Sequence, residues 1–299
     1  MSQEKPKLLR QKRLGLIAYL ALASLAVPYL FFCPCINEQF VSQLLFHPTK
    51  LSGRQADLAT IAGVQGDEVF FSSSHDSSSP QLNGWLYRKP GAKVIVVFNH
   101  GNTGNIPTRL WKLKSILESG ASLFVYDYRG FGRSDGHPTV SGVIDDAAAA
   151  VDYLIEVGGY RANDIVLYGE SLGTCISSAV ARKYRLKGLV LQSGCMSAES
   201  LCKEQVPVLN VYPSSLFFRP PLTNMDYLQG NHPPILFIAG ARDELIPVRH
   251  SQFMYDNASA PKTLVILPNS SHNDFQPDIV SYQNALKTFF ESLGNKTTE

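Results

Sequence analysis

Val166-Leu167-Tyr168-Gly169-Glu170-Ser171-Leu172-Gly173-Thr174-Cys175 decides how this chain reads: an apolar run, then G-x-S-x-G, then a helix-like pattern. That order predicts a strand that turns sharply into a helix, with Ser171 exposed at the bend. The glycines have a physical reason. Strand and helix backbones approach closely at such a bend, and unusual φ/ψ values must be tolerated there. The motif by itself carries little, because with Gly and Ser each at roughly 7% of residues it arises by chance in about one chain of this length in ten. A second copy stands at Gly132-Arg133-Ser134-Asp135-Gly136. Residues 127–131 separate that copy from the nearest apolar run, and His137-Pro138 follow it where a helix should begin. Context therefore selects Ser171 as the candidate nucleophile and leaves Ser134 as a loop residue.

Outward from this bend the chain alternates strand and helix. Short apolar or β-branched runs at 94–98, 122–126, 165–168, 188–192, 235–239 and 263–267 read as strands, and 69–72 with 85–88 reads as a hairpin around a serine-rich loop. Helical patterns lie near 108–119, 140–157, 171–184, 248–257 and 278–293. The alternation predicts an α/β fold, a mostly parallel sheet of eight strands with helices on both faces. A site on such a sheet lies beyond the carboxyl ends of its strands. The stretch from about 198 to 232 breaks the rhythm with prolines and aromatics and predicts a small cap, or else a plain connecting helix with its loops. Its apolar residues, among them Val206, Val208, Leu209, Val211, Tyr212, Leu216, Phe217 and Phe218, offer the lining of an acyl groove, or else pack the cap onto the core.

A serine hydroxyl needs a general base, and the base needs an acid to hold its tautomer. Directly after the run 235–239 comes Asp243, and directly after 263–267 comes His272. Both fall at carboxyl ends of predicted strands, and the order Ser, Asp, His is far more specific than any member alone. Of the seven histidines, His250 is the only other one after Asp243, and it sits in a helical pattern. Acyl transfer also needs donors for an oxyanion. The backbone N–H of Leu172 is one candidate, and the loop Asn99-His100-Gly101-Asn102-Thr103-Gly104-Asn105 offers the other, from Asn102 or alternatively Thr103. His100, ahead of the glycine, reads as a hydrogen-bonding scaffold.

These residues together resemble the α/β-hydrolase superfamily, and more closely its membrane-anchored serine hydrolases related to the lysophospholipase and protein-depalmitoylase branches. The resemblance rests on H-G-N-T-G-N from His100, D-Y-R-G-F-G-R-S from Asp127, G-E-S-L-G, G-A-R-D ending at Asp243 and S-H-N-D from Ser271, and covers about 66–293. It implies an α/β-hydrolase fold with Ser171, Asp243 and His272 as triad, and the D-Y-R-G-F-G-R-S run as a structural loop beside the site.

The rest of the chain bounds the setting. Residues 14–32 are free of charge, and 19 residues rising 1.5 Å each span about 28 Å, close to the hydrocarbon thickness of a bilayer. Lys5, Lys7, Arg10, Lys12 and Arg13 precede this stretch, and no Lys or Arg stands in 33–48. The expectation is a cytoplasmic basic N-terminus (1–13), a single transmembrane anchor (14–32), a linker (33–65) and a hydrolase domain (66–294) on the non-cytoplasmic side. A cleaved signal peptide ending near Ser24-Leu25-Ala26 is the alternative. Cys33 and Cys35 could carry an acyl chain or be ordinary interfacial cysteines. An oxidising compartment would permit a Cys195 to Cys202 bridge, with two free buried thiols as the alternative.

With 299 residues, 44% hydrophobic and 17% charged, the chain suits one large domain plus a short appendage. A net charge of +2 with no basic stripe argues against nucleic acid, and the five cysteines show no zinc spacing. Neither metal nor cofactor is implied. The expected activity is a membrane-tethered serine hydrolase cleaving carboxylic esters or thioesters of a lipid, a small acyl ester or an acylated protein. A serine aminopeptidase-like amidase, or a binding protein on a hydrolase fold, are the other readings.

Overall fold

A computed structural model of the chain describes residues 19, 20, 22–24, 26, 27, 29–31, 33, 38–53, 55–74, 79–217 and 219–294. Its strands are β1 (His47–Pro48), β2 (Thr60–Ile61), β3 (Val64–Ser72), β4 (Gln81–Tyr87), β5 (Ile95–Asn99), β6 (Thr103–Gly104), β7 (Ser122–Tyr126), β8 (Ile165–Glu170), β9 (Gly188–Gln192), β10 (Ile235–Gly240) and β11 (Lys262–Leu267). Its helices are α1 (Glu38–Leu45), α2 (Leu110–Glu118), α3 (Val140–Glu156), α4 (Leu172–Ala181), α5 (Ala198–Gln205), α6 (Met225–Leu228), α7 (Arg249–Asn257) and α8 (Ile279–Gly294).

Nine strands form one sheet in the order β11-β10-β9-β8-β5-β7-β4-β3-β2. From β11 to β7 the neighbours run parallel, and β4 is antiparallel to both β7 and β3. Every residue of β5, β7, β8, β9 and β10 is buried, as continuous apolar strands covered on both faces must be. The covers follow from helical spacing. Val143, Ala147, Val151 and Leu154 of α3 join Cys175, Ile176 and Val180 of α4 in the core on one face. Leu113, Ile116 and Leu117 of α2 join Tyr282, Leu286, Phe289 and Phe290 of α8 on the other. Thr139 starts α3 by accepting from the Gly142 N–H at 3.0 Å.

The structure departs from the sequence expectation in three places. The sheet has nine strands instead of eight, because Thr60–Ile61 folds back onto β3 through a turn with Ala62 at φ 51 and Gly63 at φ 75. A two-residue strand is too short to carry a periodicity of its own. The cap region holds α5, short 3₁₀ turns at Pro207–Val211 and Ser214–Leu216, and α6. Its apolar set divides: Leu209, Tyr212 and Phe217 are buried in the core with α3 and α4, whereas Val206, Val208 and Val211 are exposed. Phe218 lies outside the described residues.

The third departure is in 33–65, expected as a linker. It carries α1 and β1, and β1 pairs in parallel with β6 as a second, two-stranded sheet. Much of the expected anchor at 14–32 lies outside the described residues. The described positions from 19 to 31 are helical, with Leu20, Leu22, Leu30 and Phe31 exposed. Among the described residues no helix is long and apolar enough to cross a membrane. Phe46 is 3% exposed. Phe46→Ala should therefore lower stability by about 3 kcal/mol in denaturant unfolding. A residue of a solvated linker would change it by less than about 0.5 kcal/mol.

Candidate active site

Ser171 ends β8 in a conformation that side chains rarely adopt, φ 56 and ψ −122. The glycines on either side have no alternative. A Cβ on Gly169 would lie 2.5 Å from Gly173 O, and one on Gly173 would lie 2.1 Å from Asn99 O. These neighbours are backbone and cannot swing away. The Ser171 N–H is held by Gln192 O of β9 at 2.9 Å.

Three separate strand ends bring Ser171, His272 and Asp243 together. His272 Nε2 stands 3.1 Å from Ser171 Oγ, and His272 Nδ1 stands 2.7 Å from Asp243 Oδ2. Asp243 Oδ1 accepts from the backbone N–H groups of Leu245 and Ile246 at 3.0 and 2.8 Å, so the carboxylate is fixed from both oxygens. With Nδ1 donating to Asp243, the Nε2 lone pair faces the serine hydroxyl, which is the tautomer a general base needs. The histidine loop is pinned by Asp278, which accepts from the Asn269 N–H at 2.7 Å and from Ser270 Oγ at 2.8 Å. The three side chains are nearly buried, with 7% to 9% of each residue's surface exposed.

The loop after β5 lies against this serine: a Cβ on Gly101 would be 3.3 Å from Ser171 Cβ. His100 Nδ1 bonds Gly101 O at 2.7 Å. Gly101 C=O and Asn102 N–H belong to one trans peptide, so holding the carbonyl toward His100 directs the N–H the opposite way. Among the described residues neither the Asn102 N–H nor the Leu172 N–H donates to another protein group. Thr103, the alternative donor, belongs to β6 and pairs with His47. His100 Nε2 lies 3.6 Å from Asp127 Oδ1 in a site where both side chains are 1% exposed. Burial and Arg109 push the imidazole down to about 3, against the pull of the Gly101 bond and Glu170. Burial likewise pushes the Asp127 carboxyl up to about 7, against the Ile106 N–H and the Arg109 and Lys50 charges. Between those two values the imidazole is neutral and the carboxyl protonated, so the pair carries no charge in mildly acidic solution.

Ser134 has its hydroxyl engaged: Oγ donates to Asp127 O at 2.5 Å and accepts from the Asn83 N–H at 2.9 Å. His250 bonds Glu204 of α5 and the Met196 N–H, at 3.2 and 3.4 Å. Cys175, Cys195 and Cys202 are free thiols, and the near neighbour of Cys195 is Cys175 at 3.8 Å, not Cys202. Cys35 lies outside the described residues.

One group of functional weight escaped the sequence reading. Glu170, the variable residue of the motif, is buried and paired with Arg109 Nε at 3.1 Å and with Lys112 Nζ. Arg109 also donates to Asn105 O at 3.3 Å, so a buried charge network ties the base of the bend to the loop after β5. The signal was present: a carboxylate ending an apolar strand demands a cation, and Arg109 and Lys112 stand three apart at the start of α2.

The sequence profile described as the alpha/beta hydrolase fold matches residues 94–217, and one described as PhoPQ-activated pathogenicity-related protein matches 221–298. The chain is 29% identical over 204 residues to the uncharacterized protein YfhR of Escherichia coli (strain K12), covering 65% of this chain and 70% of that one. It is 28% identical over 201 residues to the uncharacterized membrane protein YNL320W of Saccharomyces cerevisiae, with 65% and 70% covered. The esterase Pf2001 of Pyrococcus furiosus superposes with a TM-score of 0.65 at 18% identity, covering 83% of this chain and 98% of that one. The chain has the α/β-hydrolase fold, in the parallel sheet and carboxyl-end loops described above.

Burial alone would raise the Glu170 carboxyl, but the Lys112 and Arg109 charges hold it well below the usual carboxylate range. A carboxyl depressed below its unfolded value of about 4.3 contributes stability that is whole above that pH and is lost as pH falls through the folded value. Glu170→Gln should therefore cost about 3 kcal/mol at neutral pH by leaving the two cations without their counter-ion. In melting experiments across pH, the gap between wild type and variant should narrow below about pH 4.

Proposed function

We propose that the protein is a serine hydrolase that cleaves carboxylic esters or thioesters through an acyl-enzyme. Ser171 is the nucleophile, His272 the base and then the acid, and Asp243 the group that orients it. The observation that carries this reading is the continuous hydrogen-bonded line from Ser171 Oγ through His272 to Asp243, at 3.1 and 2.7 Å.

In the first half-reaction Ser171 Oγ attacks the carbonyl carbon while its proton passes to His272 Nε2. The carbonyl π electrons move onto oxygen, where the N–H groups of Asn102 and Leu172 receive the charge. Collapse expels the alcohol or thiol, which takes the proton from Nε2, and the acyl group stays on Ser171. Water then repeats the sequence and releases the acid.

The proposed setting is a membrane surface, with the apolar stretch 14–32 as tether and the domain on the non-cytoplasmic side. It draws support from the charge asymmetry around that stretch and from the description of the yeast relative as a membrane protein. A tether raises the encounter rate with lipid esters or acylated proteins and adds nothing for small soluble esters. The acyl groove is not assigned to Phe217, which is 2% exposed and packs the cap onto the core.

Ser171→Ala should abolish labelling by a fluorophosphonate and turnover of esters, whereas Ser134→Ala should retain labelling. Labelling that survives in Ser171→Ala and is lost in Ser134→Ala would overturn the assignment. Across a panel from acetyl to octanoyl esters, kcat/KM should rise about tenfold for each two carbons until the binding surface is filled. A maximum at acetate would remove the lipid reading and leave the serine hydrolase intact.

A further inference from the structure

An oxyanion hole works only if its donors are fixed before the charge appears. Asn102 follows a glycine, whose backbone is the most permissive in the chain, so its N–H needs restraint from outside the loop. His100 supplies one restraint, through Gly101 O. The other comes from the segment that enters the fold ahead of the sheet. Leu45 O accepts from Asn102 Nδ2 at 2.9 Å, and Asn102 O accepts from the His47 backbone N–H at 2.9 Å. The parallel pairing of His47 with Thr103 and Pro48 with Gly104 continues this line, and Thr49 O accepts from Asn105 Nδ2 at 3.2 Å.

The segment is itself firmly seated. Val41, Leu45 and Phe46 are buried, in the same core as α3, α4 and the inner half of the cap. A loose tail could not hold a loop. This one is anchored by burial on one side and bonds the loop on the other.

We propose that residues 45–48 are a positioning element of the active site. They hold Asn102 by its side chain and its carbonyl, which fixes the backbone on both sides of its Cα and keeps its N–H directed at the oxyanion formed on Ser171. The proposal rests on the reading of Ser171 and Asn102 given above. Leu45 and His47 act through Asn102 and touch no substrate. Cys33, about a dozen residues ahead of Leu45, is buried in the same core. Displacement of residues 45–48 loosens the loop without touching the Ser171–His272–Asp243 line.

The test uses the full chain, an ester substrate and a fluorophosphonate probe. His47→Pro removes the backbone donor, and His47→Ala keeps it while deleting a side chain that is exposed. Asn102→Ala removes the bond to Leu45 O and leaves the Asn102 N–H in place. His47→Pro and Asn102→Ala should each lower kcat about tenfold to a hundredfold and slow probe labelling to the same degree, because a small misplacement of an oxyanion donor is that costly. KM should stay within about threefold and His47→Ala within about twofold of wild type in kcat. The double variant should lose little beyond the larger single effect, since both act on one loop. A folded His47→Pro with wild-type kcat overturns the proposal, as does a kcat that falls only in proportion to the folded fraction measured by thermal melting. If His47→Pro fails to fold, Asn102→Ala decides alone by the same criteria. A wild-type protein that does not label at all instead refutes the Ser171 reading, and the role of Asn102 with it.

Discussion

The site depends on how closely three pieces of backbone approach one another at the carboxyl end of β8. The first turn of α4, the end of β8 and the loop after β5 converge so tightly that a single methyl on Gly173 would sit 2.1 Å from Asn99 O. Contact at that distance is repulsive whatever the side chain, so glycine is required there by volume. The consequence reaches past packing. Only because the loop can touch the bend does Gly101 come against Ser171.

A close approach needs something to hold it, and here the hold is partly ionic. Glu170 lies in the bend, Arg109 and Lys112 lie on the segment that follows the loop, and all three are buried. Ion pairs in such surroundings gain little net stability, because desolvation offsets most of their attraction. Their effect is on geometry. Breaking one partner leaves charge stranded in a dry interior, so the alternatives to the native arrangement are raised in energy even where the arrangement itself is not deep. The buried His100–Asp127 pair nearby works differently. Through His100 it turns the Gly101–Asn102 peptide by one hydrogen bond.

The sheet and the meeting of Ser171, Asp243 and His272 were legible in the sequence because both rest on local order. Buried parallel strands are continuous apolar runs, and a loop that directly follows such a run must emerge at the carboxyl edge, where Asp243 and His272 stand. What was not legible depends on contacts between distant segments. Thr60–Ile61 and His47–Pro48 are strands only because β3 and β6 supply partners, and two residues cannot show a period of two. The cap was misleading in another way. Its apolar residues cluster between 206 and 218, and composition does not say which of them face the core. Phe217 and Tyr212 turned inward, Val208 and Val211 outward. The charges around Ser171 were missed because Arg109 and Lys112 sit in a helical pattern, where a cation ordinarily reads as a solvated face.

The path of the N-terminal segment links these observations to the proposed setting. Tyr29 packs at a tilt against Tyr212 with ring centroids 4.6 Å apart, and the Tyr212 hydroxyl donates to Tyr29 O at 2.8 Å. Cys33 and Phe46 are buried with the cap's inner half, and His47 bonds the loop beside Ser171. The described residues of this segment thus meet the cap at Tyr29, the core at Cys33 and Phe46, and the loop after β5 at His47. If the stretch before Cys33 is the tether, as proposed, the site and its attachment share one edge of the domain. An acyl chain leaving a bilayer would then have a short way to travel to Ser171. An attachment at the opposite edge of the sheet would have set the full thickness of the domain between them.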